Sequence, residues 1–244
     1  MQHWEPLPER YHDPCGEGCT EGLTMVDYDW NTVSGYRSWI PQPPREVVEP
    51  LPDLNAYCLE VLVEQAHAGT VNPAACRIAE RWLALDAEAR RRLASHPYLL
   101  FDAGFADPRR WRNLESVQVC DAPQAESEAQ SATPRAITGA QFVLCYAWSI
   151  AGRYANHAPL ALGMHPQCAQ QIAKQSILRM LLLARRAAGW LRPRWLNAPE
   201  VWDDLVQGAA EGGIAHTRAG LQGIRLVVAE LATAVHRGGH RDSG

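Results

Sequence analysis

Apolar residues recur at helical spacing along most of residues 53–237, and the pattern predicts a mainly α chain. Leu54, Tyr57, Cys58, Val61 and Leu62 make one stripe, with Asp53 placed to cap its start and Gly69 to stop it. Asn72-Pro73 opens a second helix, cap first and proline in the first turn, with a stripe of Ala75, Ile78, Ala79, Trp82 and Leu83. Asp86 is placed to cap a short helix running to Leu93, and Asp107-Pro108 repeats the cap-and-proline signature before residues 109–114. In the second half the pattern predicts helices near 137–156, 167–191, 199–210 and 217–236, with Gly208, Gly212 and Gly213 marking the break before the last. The run Tyr98-Leu99-Leu100-Phe101 is too short to assign, and only 117–119 reads as a strand. Together these elements predict an irregular multi-helix orthogonal bundle.

Residues 1–52 break the pattern. They carry no helical period, and Pro41, Pro43, Pro44, Pro50 and Pro52 punctuate their end. Trp4, Tyr11, Tyr28, Trp30, Tyr36 and Trp39 are interleaved, more large aromatics than a disordered tail carries. The expectation is an extended, proline-rich N-terminal arm whose aromatics dock on the main body. Residues 53–119 and 136–237 form two helical segments. The polar, acidic stretch 120–135 between them is either a linker or a loop within one domain, and 238–244 reads as a disordered tail.

Composition refines this picture. With 47% hydrophobic residues, the 244-residue chain can bury a core. The N-terminus lacks a basic region followed by an apolar one, which leads to the expectation of a cytoplasmic protein with reduced thiols. The uncharged stretch 136–152 is shorter than the ~20 apolar residues of a membrane span and includes Thr138, Gln141 and Ser149, so it reads as a buried helix.

The net charge of −4 conceals a division along the chain. No Asp or Glu occurs between Ala129 and Pro199, a stretch holding Arg135, Arg153, Lys174, Arg179, Arg185, Arg186, Arg192 and Arg194. Residues 1–128 are net −10 and residues 129–199 are net +8. On a helical wheel of 167–191, one side carries Ile172, Ile177, Met180, Leu181, Leu183, Ala184, Ala187, Ala188, Trp190 and Leu191. Lys174, Gln175, Arg179, Arg185 and Arg186 take the other, with Leu178 and Leu182 intruding among them. This basic face can meet the chain's own acidic half. It can equally bind an acidic protein surface, nucleic acid or an anionic membrane surface. The sequence pI of about 6.1 weighs against nucleic acid, because binding domains often exceed ~9.

Local signatures of catalysis are sparse. Glu64-x-x-His67, with Glu60 one turn earlier, has the spacing of a carboxylate-bridged metal site. Its second copy is missing, and the face lies opposite the apolar stripe. His12, Cys15 and Cys19, with His3 upstream, carry the donor chemistry of Zn²⁺ in a glycine-containing loop; the two cysteines can also pair or stay free. No other cofactor is predicted. His236 and His240 are four apart but enclose Gly238 and Gly239, which argues against a shared helical face. His157 and His165 flank an apolar loop containing Pro159 and Gly163. There is no Walker loop, dinucleotide fingerprint, Gly-x-Ser-x-Gly or His-Glu-x-x-His.

The leading reading is therefore a non-enzymatic helical interaction protein: an adaptor, assembly factor or regulator. Its partner-facing groups would be Lys174, Arg179, Arg185, Arg186, Arg192 and Arg194, together with the N-terminal arm. A helical metalloprotein or enzyme built from dispersed His, Cys and Glu residues is the second reading. A DNA-binding regulator is the third.

Overall fold

A computed structural model describes residues 43–112 and 132–239, with side chains as far as Thr233. The expected N-terminal arm as far as residue 42, the expected strand at 117–119, the acidic stretch 120–131 and residues 240–244 lie outside the described residues.

The chain is mainly α-helical, as its periodicity predicts. We number the elements α1 Arg45–Val48, α2 Leu51–His67, α3 Pro73–Ala84, α4 Ala87–Ala94, β1 Phe101–Asp102, α5 Pro108–Arg112 and α6 Pro134–Arg153. Then follow α7 Ala158–Leu162, α8 Pro166–Ala173, α9 Ile177–Ala188, β2 Arg192–Pro193, α10 Pro199–Glu211 and α11 Gly213–Gly239. None of the described helices is long and apolar enough to cross a membrane.

Side-chain caps explain several starts. The Asn72 side chain accepts from Ala75 N–H, Asp86 from Ala89 N–H, Thr133 from Ala136 N–H and Ser176 from Arg179 N–H. Asp53 is not a cap. The helix begins at Leu51, with Pro52 accommodated in its first turn, so Asp53 is simply an early acidic residue inside it. The segment between His157 and His165 is not an open loop either. Pro159 sits in the first turn of α7, and Gly163 ends it at φ 58°, a left-handed stop that glycine adopts readily. The last helix runs through Gly238 and Gly239, into the segment expected to fray.

The one continuous core draws on helices from both sides of the acidic stretch. Leu51, Leu59, Leu62, Leu93, Leu99, Leu144, Ile150 and Trp202 are fully buried within it. Helix α6 packs against α2, α8 and α9, and α10 packs against α3, α4 and α11. The unassigned run at Tyr98 becomes buried, bent chain that leads into β1. Phe101 and Asp102 pair antiparallel with Pro193 and Arg192 in a two-stranded ribbon.

Two buried polar side chains tie this region together. Asn55 donates to the carbonyls of Ala94 and Tyr98 at 3.0 Å each, and its own carbonyl accepts from Leu100 N–H at 2.8 Å. Arg194, only 3% exposed, donates to the carbonyls of Leu99 and Leu162 and pairs with Glu230 at 3.1 Å. Its guanidinium occupies the space a Cβ at Gly163 would need, so that position requires glycine on two counts. Beside it, Trp195 has φ 53°, the one positive value at a non-glycine among the described residues. A bulky side chain there costs on the order of 1–3 kcal/mol. Bonds on either side hold it: Arg194 N–H to Leu100 C=O and Ala198 N–H to Trp195 C=O.

Candidate interaction surface

The region expected as one helix over 167–191 is two helices. After α8, Gln175 N–H turns back to the Ile172 carbonyl at 3.0 Å, and the Trp148 indole N–H holds the Gln175 carbonyl at 2.7 Å. Ser176 then caps a new helix. The periodicity reads through this break because apolar residues recur at helical spacing on both sides of it.

The turn inside α9 also differs from the expected wheel. It packs inward through Met180, Ala184, Ala187 and Ala188, spaced i, i+4, i+7 and i+8. Small residues there let α9 lie close against α6, its most extensive neighbour. The larger apolar residues consequently face out. Ile177 is 40% exposed, Leu178 64%, Leu181 38% and Leu182 53%. Half of the exposed large apolar side chains among the described residues thus fall within positions 177–182. Ile177 and Leu181, expected on the buried side, join Leu178 and Leu182 in an outer ridge.

The six basic residues of the expected face do not share one fate. Lys174 is exposed in the break before Ser176, and Arg185 is exposed one turn beyond Leu181. Neither makes an ion pair among the described residues. Arg179 is half-buried, with its Cα at the start of α9. Arg186 lies over the Trp190 ring at 5.5 Å from the centroid, with Arg110 at the same distance from that ring. Arg192 approaches Asp102 at 3.6 Å. Arg194 belongs to the core, and its inclusion in a partner-facing set is corrected: both its charge and its N–H groups are consumed internally. The acid-free stretch thus meets the chain's own acids at Arg135, Arg192 and Arg194, while Lys174 and Arg185 beside the α9 ridge make no ion pair among the described residues.

The other sequence candidates separate from this surface. Glu60 and Glu64 both pair with Arg135, which also lies over the Tyr57 ring at 5.5 Å; His67 is exposed. The His165 ring nitrogen accepts from Gln167 N–H at 3.2 Å as the α8 cap, and burial lowers its pKa. His12, Cys15 and Cys19 lie outside the described residues, as do His240 and the side chain of His236. No metal-ligand cluster occurs among the described residues. Burial pushes the Cys58 and Cys168 thiols up to about 12, which removes them as nucleophiles near neutral pH.

Sequence reasoning did not single out His96 and His216. Their rings stack at 4.7 Å in the core, and His216 Nε2 lies 3.4 Å from Ser95 Oγ. Burial, with a smaller effect from His216, holds His96 down to about 3, and burial and Arg92 lower His216. No local motif marks this pair, which is 120 residues apart in the chain.

Comparison with known protein families, with curated proteins and with solved structures finds no match.

Proposed function

We propose that this chain is a non-enzymatic interaction protein, an adaptor, assembly factor or regulator acting in the cytoplasm, that binds an acidic protein surface through the outer ridge of α9. The observation that carries this reading is the exposed series Ile177, Leu178, Leu181 and Leu182 with Lys174 and Arg185 at its borders. Soluble domains avoid contiguous exposed apolar patches unless something covers them. The basic border favours a partner whose apolar contact is edged with Asp and Glu, because complementary charge speeds encounter and penalises wrong partners. Specificity would rest on the leucines and orientation on the charges. An anionic membrane surface offers similar complementarity, but a ridge of four residues on a helix of three turns gives shallow insertion.

The test is position-specific cross-linking in the native host. A photoreactive residue at position 182 should yield one discrete protein adduct that Arg185→Glu removes. The same group at position 83, where Leu83 is 43% exposed on α3, should not yield it. Identical adducts from both positions, or none from 182, overturn the proposal. Flotation with phosphatidylserine vesicles in place of an adduct would assign the ridge to a membrane, and a duplex DNA complex that weakens steeply with salt would assign the face to nucleic acid.

A further inference from the structure

A concavity lies away from α9, between α3 and the start of α10. Its volume is about 270 Å³. Two elements build it for separate local reasons. Arg77, Ile78 and Arg81 share one stripe of α3, at spacings of one and four, that faces Trp202 and Asp203 on α10. Trp195 and Leu196 close it from the turn between β2 and α10.

The lining divides into an apolar interior and a charged rim. Ile78 and Trp202 belong to the core, and the Trp202 indole is fixed by donating to the Arg194 carbonyl at 2.7 Å. Trp195 contributes a second indole from its left-handed backbone, its ring edge-on to Tyr98 at 6.0 Å. Strain held in place by surrounding bonds, at a residue that lines a cavity, is the arrangement expected where a side chain is positioned for binding. At the rim, Arg81 pairs with Asp203 across the gap between α3 and α10. Arg77 carries no ion pair among the described residues, so the rim has one uncompensated positive charge.

We infer that this concavity binds a small planar aromatic carboxylate. The half-buried Trp195 indole and Leu196, above a floor of the buried Ile78 and Trp202, suit a flat apolar body. A single unmatched guanidinium suits a monoanion, and its planar fork matches a carboxylate. A dianion such as a phosphate ester would place its second charge against Asp203. The volume lies just below the ~300–1,000 Å³ of drug-sized sites, which limits the occupant to one or two rings.

The probes are benzoate, 1-naphthoate and indole-3-acetate, titrated calorimetrically into the full chain, with indole-3-acetamide as the neutral comparison. At least one of the three acids should bind with a Kd of about 1 mM or tighter. Indole-3-acetate should bind better than the amide, and Arg77→Gln should weaken the best acid about fivefold. Arg77 is exposed, so this variant leaves the fold intact. Leu196→Trp, which fills the space, should abolish binding while circular dichroism stays unchanged. Failure of all three acids to bind overturns the inference. So does equal binding of indole-3-acetate and its amide, or an affinity that Arg77→Gln leaves unaltered.

Discussion

Helices α2 and α9 are both amphipathic, and they resolve that property in opposite ways. Helix α2 buries its large side chains, Leu51, Leu54, Leu59, Val61 and Leu62, and has its acidic edge neutralised by Arg135. Helix α9 buries Met180 and three alanines, packs Leu183 partly against the core and turns Ile177, Leu178, Leu181 and Leu182 outward. The difference lies in what each packs against. Against α2, α6 offers a notch at Gly139, where a Cβ would come within 3.1 Å of the Tyr57 ring, so bulk on α2 is accommodated. Against α9 the small side is the helix itself. A hydrophobic stripe therefore identifies an amphipathic helix without saying which of its apolar residues reach the core; close packing of the neighbour decides that.

The sharpest test of the contrast is leucine truncation. Leu59→Ala should cost about 2–5 kcal/mol in denaturant unfolding, because a fully buried side chain leaves a cavity. Leu182→Ala should change stability by less than about 0.5 kcal/mol. Comparable losses would mean that the α9 ridge is covered in the isolated protein. Next in size is Asn55→Ala, which leaves the Leu100 N–H and two carbonyls without their partner; a loss of about 2–3 kcal/mol is expected in the same measurement.

Acid should then loosen the core that α2 packs on. His96 lies between the two carbonyls that Asn55 holds, and it takes up a proton near 3 in the fold but near 6.5 once unfolded. The unfolded chain therefore binds more protons in that window. Stability is intact above about pH 6.5 and declines as pH falls towards 3, by up to about 1.4 kcal/mol per pH unit for this group. His216 acts in the same direction. Denaturant midpoints measured from pH 7.5 to 5 should fall, and His96→Phe should flatten the dependence. Smallest is Arg135→Ala: its pairs with Glu60 and Glu64 are solvent-exposed, so only a slight fall in the denaturant midpoint, shrinking with added salt, is expected.

What the sequence revealed follows the range of the interactions. The Asn72-Pro73 and Asp86 caps were legible because cap and acceptor lie three residues apart. The Ser176 break was not, because a coherent apolar wheel masked a cap that the side chain alone could announce. Arg194 read as part of a basic face, since its partners Leu99, Leu162 and Glu230 sit up to 95 residues away and leave no trace in the local pattern. The His96–His216 pair and the concavity at Arg77 and Trp195 are hidden for the same reason. Exposure of the α9 leucines was half visible in Leu178 and Leu182, which already broke the expected wheel.

Arg194 also imposes an order on biosynthesis. On a ribosome its carbonyl acceptors, at positions 99 and 162, emerge before it, but its counter-charge at 230 emerges last. A nascent chain that closed around the guanidinium early would bury a lone cation, which is costly. Helix α11 thus acts as a latch. Docking of α11 completes the interior, and a product cut short before position 230 should stay open to proteases at the turn around Trp195.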